Sequence, residues 1–269
     1  TVTGSRATTI EGVKVYSAST ISEQADSATN LNAGLGGKMA VDASDFMRSQ
    51  SGTQTRLGRS DVQLSAGVEV RSSGDLTVSV NEQALDANQR GWNLNTWRFG
   101  GQAGTLSLRA AGNLTVKGSI SDGFVASSSA MPNWKLDSSG TSWSYRLVGG
   151  ADMSAANPLS TRNGAGDVGV QFARAAASGD IPVALVRTGT GRIDVAAGRD
   201  VKLGSTNLVT DNGDGTFDTQ VFGAAIYTAG RAATLVDGFK APTNTDNALY
   251  GSGSSAASFD TEGGAISLT

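Results

Sequence analysis

Between Gly104 and Phe124 the apolar residues keep to alternate positions within short runs: Leu106 and Leu108, then Leu114 and Val116, then Ile120, with Thr, Ser, Arg and Lys between them. Successive side chains of a strand point to opposite faces, so a period of two marks half-buried β-strands and not an amphipathic helix. Gly112-Asn113 and Lys117-Gly118 cut the run and predict three short strands. The same alternation predicts strands at Gly12–Ala18, across 61–80 (Val62, Leu64, Val68, Val70, Leu76, Val78, Val80) and at Val168–Phe172. It returns at Ile181–Leu185, at Ile193–Leu203 and at Gly223–Ala229. Between these blocks, residues 17–60, 81–103, 125–146 and 240–262 are rich in Ser, Thr, Asn, Asp and Gly, and are expected to be insertions on the flanks of one body. One helical turn is expected at Val41–Arg48.

A phrase repeats with its spacing kept. Val70-Arg-Ser-Ser-Gly-Asp-Leu76 matches Leu108-Arg-Ala-Ala-Gly-Asn-Leu114 position for position. A variant with Gly one place earlier reads Leu64-Ser-Ala-Gly-Val-Glu-Val70, Leu147-Val-Gly-Gly-Ala-Asp-Met153 and Val195-Ala-Ala-Gly-Arg-Asp-Val201. Five copies of strand, small-residue corner and strand imply an array in which each unit stacks its apolar edge on the next, because it cannot bury that edge alone. Gly supplies the sharp corner, and Asp or Asn after it closes the corner by side-chain to backbone hydrogen bonds. Coils of roughly 20 residues stacked at about 4.8 Å would give a rod on the order of 50 Å long.

Composition narrows the chemistry. The 269 residues include 36 Gly but only 4 Pro, and aromatics are 6%, so the core must be built from Val, Leu, Ile and Ala. There is no Cys and no His, which removes disulfides, thiolate or imidazole metal sites, a Ser-His-Asp triad and an imidazole switch. A net charge of −3 argues against a nucleic-acid partner held by its phosphates. No apolar run is long enough for a membrane-spanning segment. Thr1 enters mid-pattern and Gly264–Thr269 opens a strand and stops, so a segment of a longer chain is expected.

Leu106–Val116 with its Arg-Ala-Ala-Gly-Asn corner, Gly191–Leu203, Trp143–Met153 and Ala225-Ile-Tyr-Thr-Ala-Gly230 resemble the shaft of filamentous haemagglutinin-like exoproteins. These are the secreted members of two-partner (type Vb) secretion systems of Gram-negative bacteria. The resemblance covers most of residues 61–239. It implies an all-β fold, a right-handed parallel β-helix with flank insertions, and export through an outer-membrane β-barrel transporter. It further implies an extracellular fibre on the bacterial cell surface that meets a host or bacterial surface receptor or a glycan. The Asn-Pro-Asn motifs of that family's secretion domain have no match, since Asn157-Pro158 is followed by Leu159, so shaft is the expected part. Unpaired strand edges at the ends of such a stack also make self-association an expectation.

Candidate sites are few, and no cofactor is expected. Asp211, Asp214 and Asp218, in Asp-Asn-Gly-Asp-Gly-Thr-Phe-Asp, are the candidate metal ligands, with Ca²⁺ as the ion, since clustered carboxylates and Gly turns are what a Ca²⁺ loop needs. The EF-hand spacing fails, and Asn-Gly with Asp-Gly reads more simply as a hairpin turn. Trp92, Trp97, Trp134 and Trp143 lie in or beside the insertions. Exposed, they would be flat platforms for sugar rings; buried, they would anchor the insertions, which the usual burial of Trp favours. A polysaccharide-cleaving site would need carboxylates and Arg to converge on one face. Asp152, Asp194, Asp200, Arg192 and Arg199 are the nearest candidates, but Asp152 and Asp200 read as corner residues, so catalysis is not expected.

Overall fold

The computed structural model describes residues 8–22, 38–49, 62–79, 91–94, 98, 102–125, 135–136, 140–172, 184–230 and 263–269. The chain begins with strands Thr8–Ser17 (β1) and Thr20–Ser22 (β2) and the helix Lys38–Ser49 (α1). Val62–Ser72 (β3), Leu76–Ser79 (β4) and Gly91–Asn93 (β5) follow, then Thr105–Ala110 (β6), Leu114–Lys117 (β7) and Ser119–Ser121 (β8). Phe124–Val125 (β9) and Lys135–Leu136 (β10) form a small antiparallel pair. Next come Ser144–Gly149 (β11), Val168–Gln171 (β12) and Leu185–Thr188 (β13), then Ile193–Ala197 (β14) and Val201–Leu203 (β15). Ser205–Asp211 (β16) and Phe217–Gly223 (β17) make a hairpin before Ala225–Thr228 (β18) and Ile266–Leu268 (β19).

The remaining strands form three parallel sheets. The first is ordered β1-β3-β6-β11-β14-β19, the second β15-β12-β7-β4-β2 and the third β18-β13-β8-β5. The fold is all-β, with α1 the only helix among the described residues. The chain visits the sheets in a fixed order, first, second, third: β3, β4, β5; then β6, β7, β8; then β11, β12, β13; then β14, β15, β18.

Register turns the alternation of the sequence into stacked rows. In the first sheet Val68, Leu106, Tyr145, Ile193 and Ile266 align, as do Val70, Leu108, Leu147, Val195 and Leu268. In the second, Leu76, Leu114, Val168 and Val201 align beside Val78, Val116, Val170 and Leu203. The third contributes Trp92, Ile120, Val186 and Ile226. These rows meet in one core in which most members are fully buried. Each buried Val, Leu or Ile contributes about 1.5–3 kcal/mol, and a one-residue slip would turn a whole row outward, so the pattern also fixes the register.

The two matching phrases lie on top of one another, with Val70 on Leu108 and Leu76 on Leu114. Two of the variant copies behave otherwise. Gly67 is no corner: β3 runs straight through it, paired with Val13 and Thr105. Leu147–Met153 is interrupted, because the chain leaves the body after Gly150 and returns at Gly166, whose added Cβ would sit 2.6 Å from the Gly150 nitrogen. Gly150 (φ 67) and Gly166 (φ 90) hold the left-handed conformations that bring the ends of this excursion together. Its Met153 and Leu159 pack on Val148, Ala151 and Ala196, which covers an apolar patch on the outer side of the first sheet.

The helical turn expected at Val41–Arg48 is α1. On β1, Gly12, Lys14 and Tyr16 align with Ala66, Val68 and Val70, and of these Tyr16 is buried while Lys14 is half exposed; Val13 and Val15, on the other face, are exposed. The helix buries Met39 and Ala43 in the core, and Phe46 sits so close that a Cβ at Gly12 would lie 2.1 Å from its ring. Tyr16 Oη donates to Asp42 Oδ2 (2.8 Å), and Lys14 Nζ pairs with the same carboxylate (2.8 Å). Burial, with Asp42 behind it, pushes the Tyr16 hydroxyl well above its ordinary range. Strand β1 is the edge of its sheet, and α1 covers the core there as a terminal unit of a stacked array must be covered.

Of the expected insertions, 17–60 contains β2 and α1, 81–103 contains β5, and 125–146 contains β10 and the start of β11, so all three carry strands or helix of the body. Residues 240–262 lie outside the described residues. Outward on the first sheet, the buried Glu69 accepts from Arg71 and from Arg109 Nη1 (3.1 Å), and Arg109 Nη2 donates to the Asp152 carbonyl (2.9 Å). Burial alone would raise the Glu69 carboxyl, but Arg71 and Arg109 outweigh it and hold the group below its ordinary 4.5. A lowered folded value stabilises fully above the unfolded value and is lost as pH falls through the folded one. Unfolding by urea between pH 6 and pH 3, both values set on the order of the carboxylate range, is expected to show Glu69→Gln with a shallower loss of stability on acidification than the unsubstituted protein.

Candidate functional site

The corner leading into the second sheet carries the densest polar chemistry. Asp75, Asn113, Asp167 and Asp200 each precede the first residue of a strand of that sheet, so register stacks them one above another. Each side chain receives the backbone N–H of the next: Asn113 N donates to Asp75 Oδ1 (2.7 Å), Asp167 N to Asn113 Oδ1 (3.0 Å), and Asp200 N to Asp167 Oδ1 (3.3 Å). This is the local capping that favours Asx residues at corners, passed from turn to turn. Arg199 ties it together, with Nε on Asp167 Oδ1 (3.0 Å) and Nη2 on Asn113 Oδ1 (3.0 Å). Lys202 Nζ donates to Asp167 Oδ2 at 2.6 Å. The bond from Lys202, then Arg199, holds the Asp167 carboxyl below its ordinary range, and the same contact raises Lys202.

Removing the shared acceptor tests this ladder. Asn113→Ala is expected to lower stability by about 1–3 kcal/mol, the range for leaving hydrogen-bonding groups without their partner. Asn113→Asp, which keeps the acceptor, is expected to lose less; denaturant unfolding compares them.

Beside the ladder lies a groove of about 300 Å³ over the outer face of the second sheet, lined by Asn113, Thr115, Asp167, Gly169, Gln171 and Lys202, with Leu203 and Gly204 at one end. Glycine makes it. Thr77, Thr115, Gly169 and Lys202 form an outward row, and the missing side chain at Gly169 leaves a notch between Thr115 and Lys202.

A second cluster is internal. Asp122 is fully buried, receives Arg98 Nη2 on both oxygens (2.8 and 3.0 Å) and accepts the Trp143 backbone N–H (2.6 Å). Burial raises its carboxyl, with Arg98 and the backbone donors pulling the other way. Arg187, buried above the Phe124 ring (3.9 Å to its centre), donates to Ser121 Oγ (2.8 Å). These groups join the third sheet to the start of β11.

Trp92 and Trp143 are both buried, at 1% and 0% exposure, so neither presents a ring face to a sugar. Trp92 occupies an inward row of the third sheet, and Trp143 lies over Gly104, where an added Cβ would meet its ring at 2.9 Å. Trp97 and Trp134 lie outside the described residues. Asp211, Asp214 and Asp218 sit at and beside the tip of the β16–β17 hairpin. Asp211 Oδ1 accepts the Gly213 N–H (2.8 Å), and Asp214 Oδ1 accepts both the N–H and the hydroxyl of Thr216, so two of the three carboxylates shape the turn. Among the described residues no group of three or more acidic side chains is placed to hold a metal ion.

The residues considered for polysaccharide cleavage are engaged separately. Asp194 pairs with Arg192 (2.7 Å), and Asp200 lies near Lys202 (3.6 Å). Asp152 is no corner residue of the sheets; within the excursion it accepts from Ser154 N (3.0 Å) and Oγ (2.6 Å). Asp167, by contrast, escaped the repeat pattern because the excursion separates its Gly-Asp corner from the strand before it. No helix among the described residues is long and apolar enough to cross a membrane. Comparison of the chain with protein-family models, curated proteins and solved structures gives no match.

Proposed function

We propose that the three sheets wind as one right-handed parallel β-helix and that the chain is a shaft segment of a filamentous haemagglutinin-like exoprotein. In this reading it stands on a Gram-negative cell surface and mediates adhesion or contact between cells. The observation that carries the proposal is the superposition of the repeated phrase: Leu108–Leu114, within a stretch that resembles the family's shaft in sequence, and its internal match Val70–Leu76 lie in register on adjacent strands of two sheets. The fixed order in which the chain visits the sheets is the order a β-helix requires. Its role is then mechanical, with backbone ladders and stacked apolar rows bearing load along the axis, and catalysis has no part in it.

Export through an outer-membrane β-barrel partner follows from the same resemblance. Immunogold labelling of intact cells producing the full-length protein, with and without the partner barrel, tests it. Label on the outer surface only when the barrel is present is the expected result; label confined to the cell interior in both strains would remove the proposal.

A further inference from the structure

The groove beside the Asx ladder has the chemistry of a small binding site, and the geometry points to a neutral saccharide as its ligand. Gly169 is the first reason. Its neighbours in the outward row carry side chains, and among the described residues a Cβ added there would meet nothing nearer than the Leu114 carbonyl oxygen at 3.9 Å, so none of them fills the notch. A glycine inside a strand costs conformational entropy and packs nothing, and it often marks a place where a ligand approaches the backbone. Gly204, next to β15, falls opposite Gln171 and packs closely on it, closing that end of the groove.

The lining decides the ligand class. Asp167 and Lys202 face the groove as a closed ion pair, so the lining carries no net charge. Both oxygens of Asp167 already accept hydrogen bonds from Arg199 and Lys202, which leaves little for a cationic ligand. An anionic ligand would have to compete with Asp167 for Lys202. What remains is a set of uncharged donors and acceptors, the Thr115 hydroxyl and the Asn113 and Gln171 amides, around the open backbone at Gly169. A sugar matches that set, with hydroxyls around its rim that both donate and accept hydrogen bonds. A volume of about 300 Å³ lies at the small end of ligand sites and suits one ring of an oligosaccharide. The rest of the chain of sugars would run over the polar row of Thr115 and Thr77, on strands about 4.8 Å apart.

The groove stands on its own residues, so it can fail while the shaft reading holds, and the reverse. The test is binding of the chain to immobilised cello-, malto- and N-acetylglucosamine oligosaccharides, with oligogalacturonate and sulfated dextran as charged comparisons. Binding to at least one neutral series is expected, weakened tenfold or more in Gly169→Leu, whose side chain fills the notch, with the thermal melt unchanged. Thr115→Val keeps the shape, removes a hydroxyl and is expected to weaken binding several-fold; it decides the matter if Gly169→Leu melts lower. Absence of binding to every neutral series, binding only to the charged polymers, or binding unchanged in both variants would overturn the inference.

Discussion

Trp143→Ala is expected to destabilise the protein by about 3–5 kcal/mol, the range for deleting a large aromatic from a packed core. The indole is fully buried in the core cluster, and where its ring lies over Gly104 the facing position has no side chain to move into the cavity. The bond from Trp143 N to Asp122 is a backbone bond and survives the substitution, so the loss reports packing and not the ion pair. Trp143→Phe, which keeps most of the ring, is expected to lose less than half as much. Guanidinium unfolding followed by far-ultraviolet circular dichroism gives both values.

Gly191→Val is expected to be comparably severe, for the opposite reason. Ala66, Gly104, Trp143, Gly191 and Gly264 occupy one row at the entrance to the first sheet. A Cβ on Gly191 would lie 1.9 Å from the Trp143 carbonyl oxygen, and one on Gly264 would lie 1.9 Å from that of Gly191. Glycine in this row lets successive strands approach closely at their start, and backbone offers no soft atom to give way. A loss of about 3 kcal/mol, the upper part of the overpacking range, is expected. Gly223→Val is the control, since a Cβ there meets nothing within 4 Å, and a change within about 0.5 kcal/mol is expected.

Strand period and corners were legible in sequence because they are local. Leu106, Leu108, Leu114 and Val116 alternate in the sequence and point inward in the fold. The two matching phrases were legible as a stack because identical spacing on adjacent strands is what register requires. What was not legible depends on contacts between distant residues. Gly67 looks like a corner glycine, yet it lies mid-strand, where the side chains of Glu11 and Val13 crowd the space a Cβ would need. On β1, alternation puts Val13 and Val15 on one face and Lys14 and Tyr16 on the other without saying which is inward; Tyr16 is the residue taken inward, in register with Val70 and tied to α1 through Asp42. Strand β5 is three residues long and hides in a polar stretch, which is why Trp92 read as part of an insertion. The candidate groove could not be read at all, since Gly169 becomes a notch only when β7 and β15 flank it.

Distant segments of the chain stack as parallel strands in a fixed order, and the absence of Cys makes that stacking directly measurable. Thr20 and Lys202 are exposed on the two edge strands of the second sheet, β2 and β15, four inter-strand steps apart. With Thr20→Cys and Lys202→Cys as the only labelling sites, a double electron–electron resonance measurement on the spin-labelled protein should give a narrow distribution. At about 4.8 Å per step the backbones lie about 19 Å apart, and the labels add several ångströms. A narrow peak between roughly 15 and 30 Å is the result this stacking predicts; a broad distribution, or a peak well beyond that span, would contradict it.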